Sequence, residues 1–272
     1  MLKDITLGQY YPVKSVIHRI DPRVKILLLI IYLVTIFMAD NFISLGFIML
    51  TILFTVFLSK VPFKVILKSI KAIIFIVIFT SLINIFFNSS GNVLIEFGII
   101  KITDSGIATA IFVAIRVFMF VVISSLLTYT TTPTNLTDAI EKLLSPLKVI
   151  RVDVHSVAMM MTIALRFIPT LIEEVDKITN AQKARGADME SGGIGKRIKS
   201  VIPILIPLFI SSFRSASDLA FAMECRCYTG GHGRTRMRQL RMTRTDIYAA
   251  IFMFVVIACM IVLNHFASFA KI

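Results

Sequence analysis

Five apolar runs decide what this chain can fold into: residues 26–39, 42–58, 72–87, 106–127 and 247–266. A helix needs roughly 20 residues to cross a bilayer, so these read as five membrane spans. The first two are short, and the first begins a little before Ile26. The whole chain is 57% hydrophobic with a mean hydropathy of +0.86, beyond what soluble domains reach. The expected fold is an all-α integral membrane protein, with about five transmembrane helices and long cytoplasmic helices between the fourth and last spans.

The charges orient these spans. Lys3, Lys14, Arg19, Arg23 and Lys25 outnumber Asp4 and Asp21, which places the N-terminus in the cytoplasm. Asp40-Asn41 is then a tight outer turn. Lys60, Lys64, Lys68 and Lys71 lie at helical spacing on one face at the inner surface. Residues 88–105 form a polar outer loop with room for a short hairpin, 93–97 with 99–102. Five crossings leave Lys271 outside. Because Lys and Arg collect in cytoplasmic loops, the net charge of +13 points to topology and not to a nucleic-acid partner. The mixed-polar N-terminus runs into a full span and does not read as a cleavable signal peptide. Cys225, Cys227 and Cys259 make no disulfide framework. The domains expected are an N-terminal segment 1–25, a four-span membrane domain 26–128, a cytoplasmic and interfacial domain 129–245, and a last transmembrane helix 246–266.

Within 129–245, residues 128–137 read as a polar turn and 138–147 as a short amphipathic helix closed near Pro146. Residues 156–172 are apolar and Met-rich but hold Arg166 and Pro169, so they read as a buried or interfacial helix and not as a free-standing span. Met159-Met160-Met161 there reads as adaptable packing. The helix continues through Glu173 to Ala184-Arg185-Gly186 and stops at Gly186, a natural terminator. A Gly-rich turn follows, 188–195. Next comes a helix kinked at Pro203 and Pro207, and then a third helix over 211–226, rich in small residues suited to close helix contact. Cys225-Arg226-Cys227 ends it. Gly230-Gly231-His232-Gly233 and the arginines 234, 236, 238, 241 and 244 lead to the last span.

No catalytic or cofactor machinery assembles from these residues. The run from Gly192 to Arg197 fails as a phosphate loop, since Glu190 stands where Gly is required and Arg197 replaces the Ser or Thr. His18, His155, His232 and His265 are scattered. Cys225, Cys227 and His232 are a weak start for a metal site. Arg116 inside the fourth span reads either as part of a substrate path or as a bundle arginine, the commoner case. That leaves Arg185 and Arg226, 41 positions apart. Arginine carries five donors in a rigid fork and pairs with carboxylates or carbonyls in a partner groove. Ala184 and Gly186 are small enough to admit a partner backbone closely. A basic loop against anionic lipid is the alternative, each Arg contributing about 1 kcal/mol. Repetition of the pattern favours docking to a two-lobed partner.

At these residues the sequence resembles the T component of energy-coupling factor transporters, a family that includes the membrane subunit of cobalt importers. The resemblance covers essentially the whole chain. It rests on the span pattern, the early segment from His18 through Asp21-Pro22 to Arg23, and the two motifs. The first motif matches the family pattern. The second keeps Arg226, with Cys225 and Cys227 where Ala and Gly are typical. The resemblance implies a subunit that joins two ABC-type ATPases to a small substrate-binding membrane subunit, the S component. Ala184, Arg185 and Gly186 would contact one ATPase, and Cys225, Arg226 and Cys227 the other, through long coupling helices. ATP-driven motion would pass through these helices to the S component, which topples in the membrane and releases a vitamin or metal ion inside.

Three other classes compete. A lipid-handling membrane enzyme would use Arg116 and Arg166 on an anionic substrate and would tolerate loss of the cytoplasmic arginines. A scaffold would keep its partners, with no effect on uptake, when Arg185 and Arg226 are reversed in charge. A self-sufficient transporter would show internal repeats, and none is found.

Overall fold

Asp21-Pro22 sets the start of the first long helix. The Asp21 carboxylate accepts from the Arg23 backbone N–H at 2.9 Å, and Pro22 occupies the first helical position, where its missing N–H costs nothing. The structure, a computed structural model, describes residues 10–87, 93–97, 100–150, 153–186, 193–230 and 240–266. In order, the elements are α1 (Val16–Arg19), α2 (Pro22–Phe37), α3 (Phe42–Ser59), α4 (Phe63–Phe87), an antiparallel hairpin of β1 (Val93–Phe97) and β2 (Ile100–Thr103), α5 (Asp104–Thr130), α6 (Pro133–Leu143), a 3-10 turn (Ser145–Ile150), α7 (Val154–Ala184), α8 (Ile194–Cys225) and α9 (Arg244–Phe266). The chain divides into two compact units, one of Gly8–Ala139 with Gln239–Ile272 and the other chiefly of Ile140–Arg238.

The first unit is a helical bundle around Ile36, Leu45, Ile48, Ile52, Met119 and Met253, all nearly inaccessible. Helices α3, α5 and α9 are long and apolar enough to cross a membrane, and so is α4 when its two segments, bent by 55°, count as one span. Helix α2 has only 16 residues, yet it crosses the same layer as α9. At one end the Asp21 N–H donates to Asp246 Oδ1 at 2.7 Å. At the other, Asn264 Nδ2 donates to the Met38 carbonyl at 2.8 Å and accepts at Oδ1 from Ser44 Oγ at 2.6 Å. The two helices therefore run parallel with matched ends. At 1.5 Å per residue, each covers roughly 26 Å between those ties, close to the hydrocarbon thickness of a bilayer.

The end of the bundle at Asp21 and Asp246 is a network of charged and polar groups. Asp246 is 4% exposed. Besides the Asp21 N–H, it accepts from the Thr243 N–H at 2.6 Å and the Thr243 hydroxyl at 3.1 Å. Arg23 holds Asp21 through Nε and Nη2 and donates onward to the Leu240 carbonyl at 3.1 Å. Burial raises the Asp21 pKa, but the hydrogen bonds and charge of Arg23 outweigh it and hold the carboxyl below its ordinary range. Around α1, the His18 ring lies between Ser15 Oγ at 2.7 Å and the Tyr11 carbonyl at 3.0 Å. Burial lowers its pKa, and the Tyr11 carbonyl offsets only part of this, so the neutral ring is favoured. Arg116 takes the place of a bundle arginine. Its Nη2 donates to the Ala39 carbonyl at 2.7 Å, just past the end of α2, and its guanidinium lies over the Phe112 and Phe37 rings at 4.7 and 5.8 Å.

Several boundaries differ from the sequence reading. Helix α4 begins at Phe63, taking in Lys64, Lys68 and Lys71, whereas Lys60 sits off it as the left-handed cap of α3. Helix α6 starts at Pro133, inside the expected polar turn. In the second unit, the two helices expected over 196–226 are a single one, α8, which runs through both prolines. Helix α7 likewise runs through Pro169 for 31 residues. Both α7 and α8 have the length and composition of membrane spans, which 156–172 was expected to lack. The expected hairpin is present. The turn over 188–192, His232, the arginines 234, 236 and 238, and Lys271 lie outside the described residues.

Candidate docking tips at the ends of α7 and α8

Helices α7 and α8 run antiparallel. Gln182 Nε2 donates to the Pro203 carbonyl at 3.4 Å, and Ser211 Oγ donates to Glu174 Oε1 at 3.1 Å. The first bond has a covalent cause. In an α-helix the carbonyl of residue 203 would accept from the N–H of residue 207, and residue 207 is proline, with no N–H. Pro207 thus leaves the Pro203 carbonyl open, and Gln182 from the neighbouring helix fills it. The sequence showed the proline pair but not this partner, which lies one turn before Arg185.

The two tips share one backbone design. Arg185 caps α7 at φ −82°, ψ 5°, and Arg226 caps α8 at φ −91°, ψ 13°. The next residue is left-handed in both, Gly186 at φ 84° and Cys227 at φ 53°. The Gly186 N–H bonds the Lys183 carbonyl at 3.0 Å, and the Cys227 N–H bonds the Glu224 carbonyl at 2.8 Å. At the second tip the Tyr228 N–H also reaches back to the Met223 carbonyl at 3.0 Å, completing a Schellman closure. Cys227 therefore fills the conformational role that glycine has at the first tip. A side chain in that region costs about 1–2 kcal/mol. Cys227→Gly is expected to stabilise the α8 end by about 1 kcal/mol and Gly186→Ala to destabilise the α7 end by a similar amount. Denaturant unfolding in detergent measures both, and shifts of the same sign would contradict the shared design. No atom lies within 4 Å of a Cβ built on Gly186, so conformation and not space selects the residue.

All six expected site residues, Ala184, Arg185, Gly186, Cys225, Arg226 and Cys227, are exposed. Neither the Arg185 nor the Arg226 guanidinium has a hydrogen-bond or ion-pair partner among the described residues. None of the three cysteines is in a disulfide, and the described residues hold no cluster of His, Cys, Asp and Glu suited to a metal. What the tips offer chemically is an unspent donor fork at each of two similar helix ends.

The sequence matches the family model described as CbiQ, Cobalt transport protein, over residues 13–237, a stretch that includes both tips. The chain belongs to this family. Its relatives are similar along nearly their full length. The "Energy-coupling factor transporter transmembrane protein EcfT" of Ruminiclostridium cellulolyticum is 55% identical over 249 residues, 91% of this chain and 92% of its own. Proteins of the same name from Clostridium kluyveri and Bacillus subtilis are 48% and 41% identical, covering 97% of this chain and 98% and 100% of theirs. Membership in the CbiQ family, with the apolar helices of the bundle, makes this a multi-pass membrane protein of transport and not an enzyme.

Proposed function

We propose that this chain is the transmembrane coupling subunit of an ATP-driven, energy-coupling-factor-type importer of vitamins or other micronutrients. In this reading Arg185 and Arg226 dock into two ABC-type ATPase subunits, and the membrane helices hold a small substrate-binding S component. The observation that carries it is the repeated tip: two helix ends with the same cap geometry, each presenting an exposed arginine with no partner among the described residues. Helix α8 also keeps Val201, Leu205, Ile206, Phe209, Ile210 and Phe213 exposed, an apolar surface suited to a second membrane protein. The N-terminus and both tips lie in the cytoplasm, and the C-terminus lies outside, following the positive charge at the start of the chain.

Affinity purification of the tagged chain from its native membrane tests the assembly. Two ATPase chains and one small membrane protein are expected to co-purify. A chain that emerges alone, or with unrelated partners, removes the coupling reading and brings the scaffold reading forward.

A further inference from the structure

The first unit contains an apolar cavity of about 290 Å³ between α1, α2, α3, α5 and α9, lined among others by Leu28, Tyr32, Phe54, Leu126, Tyr248 and Met253. Its rim reaches the surface, since Phe54 and Tyr248 are 50% and 67% exposed. The Lys25 side chain also lines it, and Lys25 itself is 8% exposed. The ammonium donates to the Thr130 carbonyl at 2.9 Å and to Thr131 Oγ1 at 3.2 Å. Both partners are neutral oxygens. The negative end of the α5 dipole supplies part of the compensation. Among the described residues, no carboxylate comes within ion-pair distance of Lys25. Asp246 and Asp21 favour its charge through space only, since their bonds go to backbone N–H groups and to Arg23. Buried charges in proteins are ordinarily paired, so this ammonium calls for an anion beside an apolar slot.

The lining selects the occupant: the slot is apolar along its length and opens at a rim by the exposed Phe54 and Tyr248, with one cation at Lys25, which suits a hydrocarbon chain that carries an anionic head. Lys25 lies in the first turn of α2 and Tyr32 two turns deeper, so a chain lying along the slot points from the membrane surface toward its interior. We propose that this cavity is a lipid site, in which one acyl chain of an anionic glycerophospholipid lies in the slot with its phosphate at Lys25. The lipid phosphate then supplies a direct ion pair to Lys25 where α2, α5 and α9 meet.

The chain contains no tryptophan, so a single introduced Trp reports without background. Phe54→Trp places the reporter on the slot. Phe75→Trp, on α4 at a residue 75% exposed, serves as the bulk-lipid control. Each protein is reconstituted in phosphatidylcholine vesicles carrying either brominated phosphatidylglycerol or brominated phosphatidylcholine, and quenching gives the relative affinity of the two lipids. At the slot the anionic lipid is expected to win by about five-fold, the effect of one basic residue near the membrane surface, with no preference at the control. Lys25→Met removes the preference and Lys25→Arg keeps it. Where a Lys25 variant does not elute as a monodisperse protein, Ala249→Leu, which fills the slot, should bring quenching by both lipids down to the control level. Equal preference at slot and control in the reporter protein overturns the proposal. So does a slot Trp shielded from both lipids.

Discussion

Reversing the charge at both tips, Arg185→Glu with Arg226→Glu, is expected to strip the ATPase subunits from the purified chain by more than 100-fold and to bring ATP-driven uptake to background. Losing one partner of a desolvated charge pair costs about 2–5 kcal/mol, or roughly 30- to 4,000-fold in affinity per tip. The chain itself should lose little, because both side chains are exposed and make no bond to the described residues. Membrane insertion and the unfolding midpoint in detergent should match wild type. The informative arm is conservative. Lysine keeps the charge but not the planar fork. If the arginines simply hold a basic loop against anionic lipid, Arg185→Lys with Arg226→Lys changes little, since each basic residue contributes about the same there. If they dock into a groove, the lysine pair loses at least about ten-fold of ATPase retention, a tenfold step corresponding to about 1.4 kcal/mol. A reversed variant that keeps its ATPases would sink the docking account.

The second large effect is expected at Asp246. Replacing it by Ala leaves the Asp21 and Thr243 N–H groups without the carboxylate that accepts from both. Hydrogen bonds to a charged group contribute about 1.5–3 kcal/mol each, so Asp246→Ala should destabilise the first unit by roughly 3–5 kcal/mol. Asn keeps one acceptor oxygen and should cost about half as much. Denaturant titration in detergent reads the difference. An Ala variant as stable as wild type would mean that the network is decorative. The Ala variant should also lower the level of protein in the membrane, while the transport rate per assembled complex stays near normal, because no proposed partner contact is touched.

How much of this was legible in the sequence depends on range. The five bundle spans were readable because apolar runs are a local signal, and the hairpin at residues 93–103 because alternation and a short turn are local too. The helix stop at Gly186 was readable for the same reason. The reading failed where distant residues intervene. Asp21 and Asp246 are 225 positions apart, and nothing near either announces the other, although Asp21-Pro22-Arg23 is conspicuous. The prolines of α8 argued for a kink, because proline removes a backbone donor, and a separate helix was expected over 211–226. The helix continues with Gln182, supplied by α7, capping the vacated carbonyl. Cys225 and Cys227 looked like a departure from the first motif, but the backbone at Cys227 repeats that of Gly186. Residue identity had changed while the torsion angles had not.

The scarcity of buried side chains in the second unit has a cellular consequence. Of the described residues of α7, only Val154 and Ala158 are buried, and the span Lys199–Cys225 of α8 buries none. A helix pair that encloses so little draws its durability from neighbours, by mass action. Copies made in excess would display an uncovered greasy flank and be cleared by membrane proteolysis. The abundance of the finished importer would then follow its scarcest component, and an unpaired chain would carry its own disposal signal.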